Sequence, residues 1–183
     1  MLIVSLFAWS AQAESFVEIQ IRKPELFHPV TGFRAERYRA PIPDDIPPPA
    51  RVASIDDLHD LIRGGALLVD VYGARNSRYD ELDGGWRVNS ERLSIPGAIW
   101  LPEVGRGVLA PGIAKYLEIR LAERASGRQV VVFCTADCWM SWNAAQRVAA
   151  LGHDTWWWPL GVDGWLDEGR SLTPVTPVPV PVD

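Results

Sequence analysis

A chain of 183 residues, 22% charged and 48% hydrophobic, has the size and composition of one globular domain with a full core, which excludes disorder throughout. Its 18 Lys and Arg against 23 Asp and Glu give a net charge of -5, so no basic surplus marks nucleic acid as a main partner. The compositional outlier is tryptophan, with nine residues, of which Trp156, Trp157 and Trp158 are consecutive.

Residues 1–13 are apolar from Leu2 to Trp9 and end in Ala11-Gln12-Ala13, which reads as a secretory signal peptide with a very short, uncharged start. No later stretch approaches the roughly 20 apolar residues of a membrane span, so no span is expected in the mature chain. Residues 14–50 read as an extended, proline-rich segment wrapping the domain, opening on a weak strand at 16–21 and carrying Pro24, Pro29, Pro41, Pro43 and Pro47 to Pro49. Ser54-Ile55-Asp56-Asp57 fits a capping box, followed by the stripe Leu58, Leu61, Ile62 and the stop Gly64-Gly65. Ala66 to Val71 is a buried strand carrying Asp70, and residues 73–93 form a long, polar, patternless connection. An amphipathic helix runs from Ile113 to Ala125.

The centre of the chain is Val130 to Phe133, a β-branched run suited to a strand buried on both faces, followed by Cys134 and then by helical spacing from Ala144 to Leu151. Thr155 to Trp158 is a short aromatic strand, and residues 173–183 alternate proline and valine as an extended or disordered tail. Strands alternating with helices predict an α/β domain with a central parallel sheet covered by helices on both faces. Ligands of such sheets bind outside the carboxyl ends of the strands, where Cys134 falls.

A thiol in a strand-to-helix turn faces backbone N–H groups and the positive end of a helix dipole, which favour the thiolate and mark Cys134 as a nucleophile. Cys138, the chain's other cysteine, can exchange sulfur or electrons with it. A bridge across so short a loop would add little stability, which favours a cycling pair over a permanent one. With no histidine near the two cysteines, a zinc site is not expected and the metal reading is none.

Strand, Cys134, loop and helix resemble the active-site loop of rhodanese-like domains, and Val-Asp-Val at residues 69–71 and Ile95 to Pro102 resemble further motifs of that family, over residues 51–172. More narrowly, C-x-x-x-C-W at Cys134, Cys138 and Trp139, with Gly32-Phe33-Arg34 and Tyr38 to Pro43, resembles the periplasmic rhodanese-like proteins associated with pyrroloquinoline quinone (PQQ)-dependent alcohol catabolism. The resemblance implies a rhodanese-like fold, a persulfide on Cys134, and a cradle made by Thr135, Ala136, Asp137, Trp139, Met140 and Ser141, with Asp70, Arg75 and Trp142 at the rim. It also implies a periplasmic location, an association with the PQQ system, and a PQQ-dependent dehydrogenase or its electron-transfer components as partner.

One departure matters. The family's loop arginine, which binds an anionic sulfur donor, has no counterpart between Thr135 and Ser141, and Asp137 is expected to raise a neighbouring thiol's pKa. That argues against transfer from thiosulfate. It leaves two other readings open: thiol redox or sulfur relay, and a non-enzymatic module that docks a dehydrogenase or quinone through a tryptophan-rich face and the 73–93 connection.

Overall fold

The computed structural model describes residues 14–74 and 78–182. The signal peptide read at 1–13 and the rim residue Arg75 lie outside the described residues. Strands β1 (Arg51–Val52), β2 (Leu67–Asp70), β6 (Ile99–Trp100), β7 (Val130–Phe133) and β8 (Thr155–Trp158) form one sheet in the order β1-β8-β7-β2-β6. All its pairings are parallel, as the alternation of strands and helices predicts. Asp70 pairs with Phe133 and Phe133 with Trp158, so three strands end level and present one carboxyl edge.

Alternate side chains of the central strands feed two cores. Leu67, Val69, Val130 and Val132 pack with Tyr116, Leu117 and Leu121 of α3 (Ile113–Arg124) and with Trp142 and Val148 of α4 (Trp139–Ala150). Leu68, Val131 and Phe133 pack on the other face with Leu58 and Leu61 of α2 (Ile55–Arg63) and with Val162 and Trp165 of α5 (Gly161–Asp167). The capping box of α2 forms as read, with Ser54 Oγ accepting from Asp57 N and Asp57 Oδ2 accepting from Ser54 N.

Four expectations are corrected. The strand read at 16–21 is a helix, α1 (Phe16–Arg22), because Ser15 and Glu18 close a capping box and Ile19 turns inward. The N-terminal segment is therefore not extended throughout, and a 3-10 turn, Pro24–Leu26, follows α1. Helix α4 begins at Trp139 rather than near Ala144. Its first seven residues are all buried, so no polar face marks its start in the sequence. The 73–93 connection holds a hairpin of β3 (Arg78–Tyr79) and β4 (Trp86–Arg87), and then β5 (Arg92–Ser94).

The tail is extended but not disordered. Its strand β9 (Thr173–Val175) pairs antiparallel with β5, Val178 N donates to Trp100 O at 2.9 Å, and Val180 N donates to Gly84 O at 2.8 Å. Among the described residues no helix is long and apolar enough to cross a membrane.

Candidate active site

Cys134 is the first residue past β7 and is fully buried; Cys138 caps α4 and is 4% exposed. Both are free thiols, and Cys134 Sγ donates to Cys138 Sγ at 2.7 Å, within easy reach of a disulfide. Burial pushes the Cys134 thiol well up, with Cys138 and the Asp70 carboxylate adding to the effect. Cys138 is pulled down from 9.0 to about 7 by the Cys134 thiol, with the Met140 and Ser141 amides of the first turn of α4 also helping. The helix amides expected to favour a thiolate at Cys134 act on Cys138 instead. Cys134 faces the core, while the helix amides reach Cys138. Asp137, expected to raise a neighbouring thiol, is exposed and acts through its backbone instead; the carboxylate that weighs on Cys134 is Asp70.

The loop is gripped from both sides. Residues 34–45 form a strap across it: Arg39 bridges antiparallel to Cys138, Ala40 N donates to Asp137 O at 3.1 Å, and Trp139 N donates to Tyr38 O at 2.9 Å. Trp139 and Trp142 donate their indole N–H groups to Pro41 O and Asp45 O. Asn143, fully buried, accepts from Arg34 N at 3.1 Å and donates to Arg34 O and Gly105 O at 2.8 and 2.9 Å. Opposite the strap, Ala136 N donates to Asp163 Oδ2 and Val162 N to Cys134 O. Gly161 approaches so closely there, with φ +56, that a Cβ would stand 2.5 Å from Cys134 O.

Asp70, read as a rim residue, lies fully buried beneath the pair. Its Oδ2 accepts from Arg92 Nε at 2.8 Å and Ser94 Oγ at 2.6 Å, and Arg92 Nη2 reaches Cys134 O at 3.3 Å. Burial pushes the Asp70 carboxyl up, and Arg92 and Ser94 oppose it. Ser141 is buried, donating to Cys138 O at 2.9 Å and accepting from Trp157 Nε1 at 3.0 Å. Thr135 is buried and Ala136 half-buried.

Above Cys138 opens a cavity of about 640 Å³, lined among others by Arg37, Tyr38, Arg39, Tyr72, Arg106 and Met140. The site does contain cations. They come from outside the loop: Arg37 and Arg39 arrive on the strap, and Arg106 on the connection after β6. Arg39 Nη1 donates to Thr135 Oγ1 at 2.7 Å, and Arg106 is held by Glu103 at 2.7 and 3.2 Å. Arg39 lies 96 residues from Thr135, too far for loop composition to disclose it. The only signal was the likeness of Tyr38 to Pro43 to a family segment.

The tryptophan-rich face is also corrected. Trp139, Trp142, Trp157 and Trp158 are fully buried core residues, so Trp142 is an anchor for the strap and not a rim, and no wall for a flat quinone is exposed by them. Among the described residues no group of three or more His, Cys, Asp or Glu is placed to hold a metal ion.

No protein-family model matches the chain, and no curated protein does. Among solved structures it is similar to a thiosulfate sulfurtransferase from Pseudomonas aeruginosa, at 18% identity and a TM-score of 0.43 over 68% of this chain. It covers 20% of that enzyme, so the chain spans about a fifth of its length. It is also similar to a full-length protein from Lactobacillus plantarum, at 16% identity and a TM-score of 0.44, over 86% of this chain and 95% of that one.

Proposed function

We propose that this protein handles sulfur through a dithiol–disulfide cycle in which Cys138 attacks and Cys134 resolves. The observation that carries the reading is the asymmetry of the pair: two free thiols 2.7 Å apart, the acidified one lining a cleft and the other sealed in the core. The Cys138 thiolate attacks one sulfur of a disulfide R–S–S–R′, forming a mixed disulfide with R–S while R′–S⁻ leaves with the electron pair. Cys134 then gives its proton to a leaving thiolate and attacks Cys138 Sγ. That expels R–S⁻ and leaves a Cys134–Cys138 disulfide, so the protein is oxidised by two electrons and the substrate reduced to two thiols. With a persulfide R–S–SH as donor, attack on the outer sulfur places that sulfur on Cys138 and releases R–S⁻. A periplasmic setting, in service of PQQ-dependent alcohol oxidation, is supported by the likeness of the C-x-x-x-C-W motif and the residues 33–43.

Stoichiometric reaction with a small disulfide tests the cycle by mass spectrometry. The wild type should lose two hydrogens and release both halves of the reagent, Cys134→Ser should stop at a mixed disulfide on Cys138, and Cys138→Ser should react slowly. Labelling of Cys134 ahead of Cys138 in the reduced wild type would refute it. A second reading, sulfur transfer from thiosulfate, is favoured by the arginines beside Cys138, because they remove the objection that the site lacks a cation. It predicts thiocyanate from thiosulfate and cyanide, lost in Cys138→Ser.

A further inference from the structure

Two of the cations over Cys138, both on the exposed side of the strap, are left without a counter-charge. Arg106 is neutralised by Glu103. Arg37 and Arg39 have no carboxylate partner among the described residues, and the guanidinium of Arg39 bonds only to the neutral Thr135 hydroxyl. Neither arginine sits on a loose end. Arg39 is locked by its bridge to Cys138. Arg37 adopts φ +47, a left-handed conformation that a side chain enters only when its surroundings impose it, and its carbonyl accepts from Arg34 Nη2 at 3.2 Å. Arg34 in turn is 2% exposed, its guanidinium 5.4 Å from the Phe27 ring and 4.7 Å from the Trp139 ring. The strap's backbone is thus held from the core, and two positive charges stand at the mouth of the cleft.

The cleft also has room for more than a small ion. About 640 Å³ lies in the range of sites for small organic molecules, and the rings of Tyr38 and Tyr72 give it flat sides. Tyr72 is steadied by Arg92, whose guanidinium lies 4.3 Å from the ring centre, and Tyr38 by its hydroxyl, which accepts from Gly107 N at 2.9 Å. A carbon skeleton can lie against such rings while its charged ends meet the arginines.

We infer that the substrate of this cleft is an organic disulfide or persulfide carrying carboxylate groups, whose anionic ends are held by Arg37 and Arg39 while its sulfur meets Cys138. The inference rests on the assignment of Cys138 as the attacking thiolate. Arg37 and Arg39 are specificity residues here, and the charge they supply acts on capture of the substrate more than on the sulfur exchange that follows.

The test uses the intact reduced protein and two aromatic disulfides with strongly absorbing thiol products: dithiobis(nitrobenzoate), a dicarboxylate, and dithiodipyridine, which is neutral. Second-order rate constants are measured for the wild type, Arg37→Gln, and Arg37→Gln/Arg39→Gln, and the ratio of the dicarboxylate rate to the neutral rate is formed for each. The expected result is a ratio about tenfold lower in the double variant, an intermediate value in Arg37→Gln, and a wild-type ratio that falls as salt is raised. Arg37→Gln keeps the Arg39–Thr135 hydrogen bond, and the salt series needs no variant, so an unstable double variant would not block the test. A ratio unchanged by substitution and by salt overturns the inference. Failure of the underlying cycle shows elsewhere, as a Cys138→Ser variant that reacts with the neutral disulfide as fast as the wild type.

Discussion

Replacing Cys134 by alanine isolates the hydrogen bond that acidifies its neighbour. In the wild type the Cys134 S–H points at Cys138 Sγ across 2.7 Å and is the largest influence drawing that thiol from 9.0 to about 7. A hydrogen bond to a charged group contributes about 1.5–3 kcal/mol. At about 1.4 kcal/mol per pKa unit, its removal should raise the Cys138 pKa by roughly one to two units. The thiolate share at neutral pH then drops from about a half to between about 1% and 10%. The alkylation rate falls less, by roughly two- to sixfold, because a more basic thiolate is also a better nucleophile. The midpoint of the rate against pH is therefore the quantity to read, and it moves by the whole shift. Alkylation by iodoacetamide across the acid-to-alkaline range, followed by mass in wild type and Cys134→Ala, gives both midpoints. An upward shift is required; a midpoint that stays in place or falls would show that the α4 amides alone set the acidity.

Two further outcomes follow from buried polar groups around the pair. Asn143→Ala leaves Arg34 N, Arg34 O and Gly105 O without their buried partner and should lower stability by about 2–4 kcal/mol, read as a drop in the urea midpoint; a loss under about 1 kcal/mol would mean that the strap finds other bonds. Asp70→Asn strips Arg92, whose side chain is only 11% exposed, of its counter-charge, and should cost about 3–5 kcal/mol in chemical denaturation while loosening the Arg92 contact to Cys134 O. Unaltered stability in that variant would place the Arg92 charge in water.

How far the sequence could be read depended on whether the signal was local. Strand β7, the thiol behind it and the α2 cap are written in consecutive residues, and all three form where read. Helix α1 carries its signal in the spacing of Ser15 and Glu18, a capping box, while the stretch from Phe16 to Ile21 also has the apolar–polar alternation of a strand. The roles of the two cysteines were not legible. Both share one turn, and only the packed fold turns Cys134 toward the core and Cys138 toward the cleft. Nor could the loop announce its cations, since those are delivered by a strap whose bond to Asn143 spans 109 residues.

The proline–valine repeat at the end of the chain has a consequence for how this protein keeps to itself. Successive N–H groups of an extended chain point to opposite sides. Those of Val178 and Val180 point inward and are used, by Trp100 O of the edge strand β6 and by Gly84 O of the hairpin connection. The alternate positions, Pro177, Pro179 and Pro181, have no N–H to offer. Two of the carbonyls are occupied as well, Val178 O by Trp86 and Tyr116, and Pro179 O by Arg120. The tail therefore works as a strand with one adhesive side: it covers the β6 edge of the sheet and offers a strand from another molecule no N–H at its proline positions, a guard against edge-to-edge aggregation written as a dipeptide repeat.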